Sequence, residues 1–154
     1  MSLEDPVVET DTKASAAVRV AVLDLGSSSF HLLVADARPD GSIHPVSRER
    51  VALSLGHHLE GSGTIPSDRG TAALDAVHHL ADLAQRASAD RIEVVATSAL
   101  RDAENGAALT AAIQADVGVQ VSLLSGAEEA RRAFLGMRGS VVFPEGRTAA
   151  LDLG

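Results

Sequence analysis

The sequence contains no cysteine, tryptophan or tyrosine, and phenylalanine occurs only three times in 154 residues. The absence of cysteine excludes disulfide bonds, thiolate metal sites and cysteine nucleophiles, and it is typical of a cytoplasmic protein. No stretch reaches the ~18 consecutive apolar residues of a membrane span, and no basic–apolar–small signal peptide stands at the start. We therefore expect a cytoplasmic protein without a membrane partner, whose core is built from Ala, Val, Leu and Ile.

Positive charge is also scarce, since 13 Lys and Arg face 21 Asp and Glu and the formal net charge is −8. Non-specific nucleic-acid binders neutralise phosphates with Lys and Arg, so we expect no nucleic-acid partner. The same charge opposes a polyanionic substrate at long range, and such a substrate would need local arginines and a metal. The 154 residues, with 45% apolar content, fit one domain with a sizeable core.

The order of the apolar segments predicts an α/β domain after a leader, over residues 1–17, that we expect to be disordered. Strands are predicted over 18–23, 30–35, 43–53, 91–96, 119–124 and 147–153. The first three form an antiparallel start, with a turn at Asp40 and Gly41. Helices are predicted over 67–87, with Ser67 as N-cap, over 107–115 and over 125–135, while 54–66 reads as a long surface loop.

Residues 24–29 (Asp-Leu-Gly-Ser-Ser-Ser) lie between the first two predicted strands. A carboxylate at a strand end, followed by a small glycine-containing turn, suits phosphate chemistry. The acid can position a divalent cation, while backbone N–H groups and hydroxyls cradle phosphoryl oxygens. The alternative is an ordinary hairpin turn, because Gly and Ser are also common turn residues.

Residues 96–105 follow another strand end, where open α/β sheets tend to place ligands. Thr97 and Ser98 offer hydroxyls there, and Arg101 could bind a phosphate bidentately. In the alternative interpretation, Ser98 caps a helix and Arg101 pairs with Asp102 or Glu104 on a solvated face.

A third segment, 124–136, opens a helix with Glu128 and Glu129. One of the two could orient and deprotonate a water molecule, and only one is expected to face a cleft. Alternatively, both acids simply complement the helix dipole. Arg131 and Arg132 either bind anions or balance these acids.

The last residues, 149–154, repeat the pattern of a strand followed by Asp-Leu-Gly. A second acidic turn facing the first would make a two-sided phosphate and metal site. The alternative is coincidence in a sequence rich in Leu and Asp. The histidine pairs at 57–58 and 78–79 are adjacent in sequence and do not suit chelation of one metal.

Together these segments resemble the exopolyphosphatase/guanosine pentaphosphate phosphohydrolase (Ppx/GppA) family of the actin-like phosphotransferase superfamily. The matching stretches are 22–35, 96–105, 124–136 and 152–154, in the family's order. The resemblance implies a ribonuclease-H-like (actin-like ATPase) α/β fold, a mixed sheet with an antiparallel three-stranded start and flanking helices. We expect residues 18–154 to form the N-terminal lobe of such a phosphatase, with the second lobe absent.

The resemblance further implies removal of the terminal phosphate from polyphosphate or guanosine pentaphosphate, with Mg²⁺ or Mn²⁺ as cofactor. Glu129 would be the water-activating base, and Asp24 and Asp152 would lie at the metal. Phosphate or substrate contacts would come from Gly26, Ser27, Ser28, Ser29, Thr97, Arg101 and Gly154. The expected partners are polyphosphate or guanosine penta- or tetraphosphate, and a second copy in a homodimer of the parent protein.

The sequence departs from the family pattern at Ser28, where the family usually has Asn. It also has Ser-Leu-Gly-His-His-Leu over 54–59, where the family tends to have Arg-Leu-Gly-Glu-Gly-Leu. The departure over 54–59, together with a second phosphate loop that stops at 152–154, leaves open a second function, a non-catalytic lobe that senses guanosine polyphosphates. A sugar kinase or actin-like ATPase lobe is a weaker third hypothesis, since it does not account for the helix start at 125–136. We expect the isolated lobe to be weakly active or inactive.

Overall fold

The computed structural model describes residues 17–142 and 145–146. Almost all of the predicted leader, the strand predicted over 147–153, and the site residues Asp152 and Gly154 lie outside the described residues. Their predictions are therefore not addressed by the fold.

A five-stranded mixed sheet forms the centre of the fold, in the order β3-β2-β1-β4-β5. The strands are β1 (Val18–Leu25), β2 (Ser29–Ala37), β3 (Ile43–Ala52), β4 (Arg91–Ala96) and β5 (Val121–Leu123). β1, β2 and β3 are antiparallel neighbours, whereas β4 pairs in parallel with both β1 and β5. The predicted fold class, with its antiparallel start, is confirmed, and so is the turn at Asp40 and Gly41, where Gly41 has a φ of +82°.

Five helices connect and flank the strands in the described part of the chain. They are α1 (Leu55–Ser62), α2 (Ser67–Arg86), α3 (Ser98–Asp102), α4 (Gly106–Val117) and α5 (Gly126–Ser140). The helices predicted over 67–87, 107–115 and 125–135 are confirmed with shifted ends, as is normal for element boundaries. Ser67 is the first helical residue and Pro66 holds the N-cap position, so the prediction of Ser67 as N-cap is wrong by one residue.

The prediction of a long loop over 54–66 is wrong, because α1 forms there. The glycines of this segment suggest a loop, but Leu55 is fully buried and Ile65 is only 3% exposed, so both ends of the segment are anchored in the core. Ser54 and Gly63 bound the helix with left-handed backbone conformations, at φ 54° and 69°. Burial at the two ends therefore overrides the low helix propensity of the segment.

The core lies between one face of the sheet and α2. In β1, Ala21, Leu23 and Leu25 are fully buried, whereas Val22 and Asp24 alternate with them. Successive strand residues point to opposite faces, so Asp24 belongs to the sheet face away from the core. Within the described residues, no helix combines the length and the apolar character needed to cross a bilayer.

Candidate functional site

The turn between β1 and β2 is held in place by hydrogen bonds from residues 53–56 to its carbonyl oxygens. Ser28 O accepts hydrogen bonds from the backbone N–H groups of Leu53 and Ser54, at 3.0 and 2.9 Å, and Ser27 O accepts one from Gly56 at 2.9 Å. The start of α1 therefore braces the turn from behind. This supporting role of residues 53–56 is missed by sequence analysis, which reads the segment as surface loop.

Gly26 is required by the geometry of this turn. A Cβ at Gly26 would lie 2.9 Å from the carbonyl oxygen of Ser29, closer than real side chains approach a backbone atom. Gly56 is also closely packed, since its Cβ would lie 3.1 Å from Cβ of Ser27. The turn is therefore compact, and Ser29 at its end is buried with its hydroxyl 2.8 Å from Nε2 of His31.

The end of β4 lies beside this turn. Thr97 N donates a hydrogen bond to Leu25 O at 3.2 Å, which continues the parallel pairing past the strand end. The hydroxyl oxygens of Ser27 and Ser98 are 2.5 Å apart. Ser98, considered in the sequence as a possible helix cap, is instead the first residue of α3, after Thr97 at the N-cap position.

The two acids at the start of α5 have different surroundings. Glu128 forms a capping box with Ser125: Ser125 N donates to Glu128 Oε2 at 2.9 Å, and Glu128 N donates to Ser125 Oγ at 3.3 Å. Ser125 Oγ also donates to Glu128 Oε2, at 2.7 Å. Hydrogen bonds from the Ser125 backbone N–H and hydroxyl lower the pKa of Glu128. Glu129 is half-buried and points into the cleft described below, as expected if only one of the two acids faces it.

Arg101 connects α3 to the start of α5. Its Nη1 donates to Leu124 O at 2.9 Å and lies 3.4 Å from Oε2 of Glu129, while its Nε donates to Asp102 Oδ1 at 3.0 Å. The hydrogen bond with Asp102 is the main cause of the raised pKa of Arg101. Of the two partners considered for Arg101 in the alternative interpretation, Asp102 is the one observed, and the contact with Glu129 is an addition to it. Contact of Arg101 with substrate phosphate stays a prediction.

These elements enclose a cavity of about 450 Å³, which we call the serine cleft. Its lining consists of Asp24, Gly26, Ser27, Ser28, Ser29, His31, Thr97, Ser98 and Glu129. All the predicted site residues within the described ranges line this cleft, except Arg101, which reaches it through Glu129. His31 is the residue that sequence analysis did not assign to the site, and only its position two residues after Ser29 on one strand face could have indicated it.

One carboxylate of the serine cleft, that of Asp24, is a candidate ligand for a divalent cation. Among the described residues there is no group of three or more His, Cys, Asp or Glu side chains that could hold an ion. Mg²⁺ commonly binds through one or two carboxylates, retained water and substrate phosphates, without an all-protein cage. Asp24 supplies one such carboxylate, so the residues fit a magnesium ion that is bound together with a phosphate.

Comparison with protein families and with curated proteins gives consistent findings. The model of the Ppx/GppA phosphatase family matches residues 33–154. Exopolyphosphatase 1 of Mycobacterium tuberculosis is 33% identical over 137 residues, which cover 89% of this chain and 40% of the relative. Exopolyphosphatase 2 of the same organism is 32% identical over 148 residues, covering 90% and 46%. The chain thus spans less than half the length of these relatives.

Solved structures give the same picture. A Ppx/GppA family member from Aquifex aeolicus superposes with a TM-score of 0.75 at 27% identity, over 81% of this chain and 40% of the other. An exopolyphosphatase from Cytophaga hutchinsonii superposes with a TM-score of 0.74 at 29% identity, over 80% and 39%.

Proposed function

The chain belongs to the Ppx/GppA phosphatase family, and from this membership we propose that the serine cleft is one wall of an active site that hydrolyses terminal phosphoanhydride bonds of inorganic polyphosphate. One observation carries the proposal. A half-buried carboxylate, Glu129, lines the same cavity as the glycine-braced serine turn and Asp24. A base, a set of phosphate-binding hydroxyls and a metal-binding acid are the groups that phosphoryl transfer to water requires.

The turn provides the binding groups in this proposal. The hydroxyls of Ser27, Ser28 and Ser29 would donate hydrogen bonds to the oxygens of the terminal phosphoryl group. Ser27 would exchange its contact with Ser98 for this, and Ser29 its contact with His31. Because the turn is braced through its carbonyl oxygens, these donors are arranged before substrate arrives. Preorganised donors stabilise the charge that develops on the phosphoryl oxygens in the transition state.

Glu129 acts as the general base in this proposal. Its carboxylate accepts a proton from the attacking water, and the contact with Arg101 orients it at the start of α5. Arg101 is therefore a positioning residue in the free protein. Contact of its guanidinium with substrate phosphate, as the family resemblance implies, would require it to exchange part of its present hydrogen bonding.

A divalent cation completes the proposal. Asp24, together with the substrate phosphates, would hold Mg²⁺, or Mn²⁺ in its place, and the family resemblance adds Asp152. When bound, the ion would neutralise charge on the phosphate oxygens.

The experiment is phosphate release from long-chain polyphosphate by the natural protein that contains this chain, with Mg²⁺ present, compared with its Glu129→Gln variant. We expect release by the wild type and a loss of at least ~100-fold in the variant. Unchanged turnover in Glu129→Gln would overturn the assignment of the base, and absence of release by the wild type would overturn the hydrolase.

A second candidate function is a non-catalytic lobe that binds guanosine polyphosphates. It is motivated by the departure from the family pattern over 54–59, where the sequence is Ser-Leu-Gly-His-His-Leu. Calorimetric binding of guanosine pentaphosphate without phosphate release would favour this function over hydrolysis, whereas efficient turnover would exclude it.

A further inference from the structure

The side chain of Asn105 joins two segments that are far apart in the sequence. Its Oδ1 accepts a hydrogen bond from the backbone N–H of Ile65 at 2.9 Å, and its Nδ2 donates to the carbonyl oxygen of the same residue at 2.8 Å. We call this pair of hydrogen bonds the amide clamp. Glu104 N donates to Gly63 O at 2.9 Å and joins the same two segments. The clamp thus connects the segment after α1 with the segment after α3.

This use of the Asn105 side chain is unusual for its position. Asn105 is the N-cap residue of α4, and an N-cap asparagine usually accepts a hydrogen bond from the first turn of its own helix. Here the side chain makes no such capping bond. Both ends of its amide are instead engaged by Ile65, a residue that is only 3% exposed. The clamp therefore pairs backbone groups of a buried residue, which water cannot readily pair.

The turn that carries Asn105 is fixed against α3. Gly106 N donates to Ala103 O at 3.0 Å. A Cβ at Gly106 would overlap the carbonyl oxygen of Leu100 in α3, so the backbone approaches α3 more closely than any residue with a side chain allows. Residues 103–106 therefore place the Asn105 amide at a set position relative to α3.

The two helices that the clamp connects both reach the serine cleft. At the start of α1, Gly56 N donates to Ser27 O at 2.9 Å and braces the serine turn. α3 begins with Ser98, whose hydroxyl oxygen is 2.5 Å from that of Ser27, and it also carries Arg101. Both helices thus meet the cleft at their N-terminal ends, and the clamp joins them beyond their C-terminal ends.

The space between α1 and α3 gives this connection its importance. A cavity of about 410 Å³ lies between the two helices, lined by Leu59 from α1 and by Ala99 and Asp102 from α3. Side chains that face a cavity lack contact partners on that side, so close packing between the helices is incomplete. Hydrogen bonds at the two ends therefore take a larger share in fixing how the helices lie relative to each other.

We propose that Asn105 is a positioning residue of the serine cleft: its amide holds α1 and α3 in the relative position that brings the serine turn to Ser98 and Arg101. This inference rests on the proposed function. A side-chain amide suits the task, because it offers one acceptor and one donor to the N–H and C=O of Ile65. A carboxylate in its place would keep the acceptor without the donor, and an alanine would keep neither.

The test uses the natural protein that contains this chain, with the variants Asn105→Ala and Asn105→Asp. The matched control is Asp90→Ala. Asp90 Oδ2 accepts the backbone N–H of Arg19 at 2.8 Å, a side-chain-to-backbone bond that also joins distant segments but lies at the end of β1 away from the cleft. The measurements are phosphate release from polyphosphate with Mg²⁺, denaturant unfolding, and hydrogen exchange of individual backbone N–H groups.

We expect Asn105→Ala to lower kcat roughly tenfold and to change KM for polyphosphate less than about threefold, because groups that act in the transition state are misplaced. Asn105→Asp should lose less. Hydrogen exchange should become faster at Leu53, Ser54 and Gly56, whose N–H groups donate to the serine turn at the other end of α1. Asp90→Ala should show neither effect at a comparable loss of stability.

Wild-type kcat in both Asn105 variants, or faster exchange confined to residues 63–65 and 104–105, would overturn the positioning role. Equal losses of kcat in Asp90→Ala and Asn105→Ala would also overturn it, since general destabilisation would then explain the effect. If the wild type released no phosphate, the proposed function would fail, and hydrogen exchange at residues 53–56 would still decide whether the clamp holds the serine turn. If Asn105→Ala does not fold, Asn105→Asp, which keeps one of the two hydrogen bonds, supplies the same measurements.

Discussion

The guanidinium of Arg101 lies 3.4 Å from the carboxylate of Glu129, although 28 positions of sequence separate the two residues. The same Nη1 atom donates to the carbonyl oxygen of Leu124, just before the α5 N-cap. One side chain therefore connects the helix after β4 with the helix after β5, at the edge of the sheet where both strands end. In the proposed mechanism, this contact orients the carboxylate of Glu129.

Substitution of Glu129 by Gln should lower turnover of polyphosphate by at least ~100-fold, because the amide cannot accept the proton of the attacking water. Binding of polyphosphate should persist, since the serine turn is unchanged. Phosphate release and calorimetric binding are the two measurements. Glu128→Gln is the matched control: it removes a neighbouring acid that caps the helix, and it should keep most of the activity. Equal losses in both variants would indicate a structural role for the helix start.

Substitution of Arg101 by Ala should lower the catalytic rate by roughly 10- to 100-fold, because misplacement of a catalytic group by about 1 Å has effects of that size. If Arg101 acts through Glu129, its effect should largely disappear in a Glu129→Gln background. The measurement is a double-mutant cycle on turnover, since residues in contact give non-additive effects. Strictly additive losses would show that Arg101 acts independently, for example on substrate phosphate.

Substitution of Asp24 by Asn should raise the Mg²⁺ concentration needed for half-maximal phosphate release by at least about tenfold, because a neutral amide is a weaker ligand for a hard cation. Titration with Mg²⁺ measures this, with removal of the ion by a chelator as the reference state. Asp102→Asn is a suitable control, since it removes an acid that pairs with Arg101 but does not line the serine cleft. An unchanged Mg²⁺ requirement in Asp24→Asn would contradict the role of Asp24 at the metal.

The sheet could be predicted from the sequence because its signals are local. Alternating or apolar runs bounded by turn residues identify β1 to β4, and the short connections within β1–β3 imply antiparallel pairing. The helix α1 could not be predicted in this way. Its formation depends on burial of Leu55 and Ile65 by distant parts of the chain. Helix propensity, which is a property of the local sequence, does not include this burial.

In the candidate site too, local sequence signals predict some residues, whereas the placement of others depends on contacts between distant parts of the chain. Residues that follow strand ends, such as Asp24 and Thr97, could be predicted because strand ends collect ligand-binding groups in α/β sheets. The difference between Glu128 and Glu129 depends on the capping box, which engages the acid three residues after the Ser125 N-cap. The spacing from Ser125 to Glu128 is the sequence signal that separates the two acids. The placement of Arg50 beside Ser29 depends on the register of β2 with β3, and register is set by long-range pairing rather than by either strand alone.

The capping box makes the stability of the fold dependent on the ionisation of Glu128. Hydrogen bonds from Ser125 lower the pKa of Glu128 in the folded protein, so its charged form favours folding. The contribution is present above the ordinary pKa range of glutamate and is lost as the pH falls through the lowered pKa. Chemical denaturation at a series of pH values should therefore show a difference between wild type and Glu128→Gln at neutral pH that shrinks in acid. Ser125→Ala removes the hydroxyl but keeps the backbone N–H, so the NMR titration midpoint of Glu128 should move only part of the way up toward its ordinary value. An unmoved midpoint would contradict the contribution of the hydroxyl.

Substitution of Gly26 by Ala should disrupt the serine turn, because the new Cβ would lie 2.9 Å from the carbonyl oxygen of Ser29 and the backbone must shift to admit it. We expect a loss of order 1–3 kcal/mol in the free energy of unfolding, together with weakened tripolyphosphate binding, since the shift displaces the hydroxyls of Ser27 and Ser28. Gly139→Ala is the control: a Cβ there meets nothing within 4 Å, and in a helix Ala should be more stable than Gly by about 0.5–1 kcal/mol. Denaturant unfolding and calorimetry of both variants separate a local effect at the turn from a general effect of replacing glycine. If Gly26→Ala retained wild-type stability and binding, the turn would have to be more adaptable than its bracing by residues 53–56 implies.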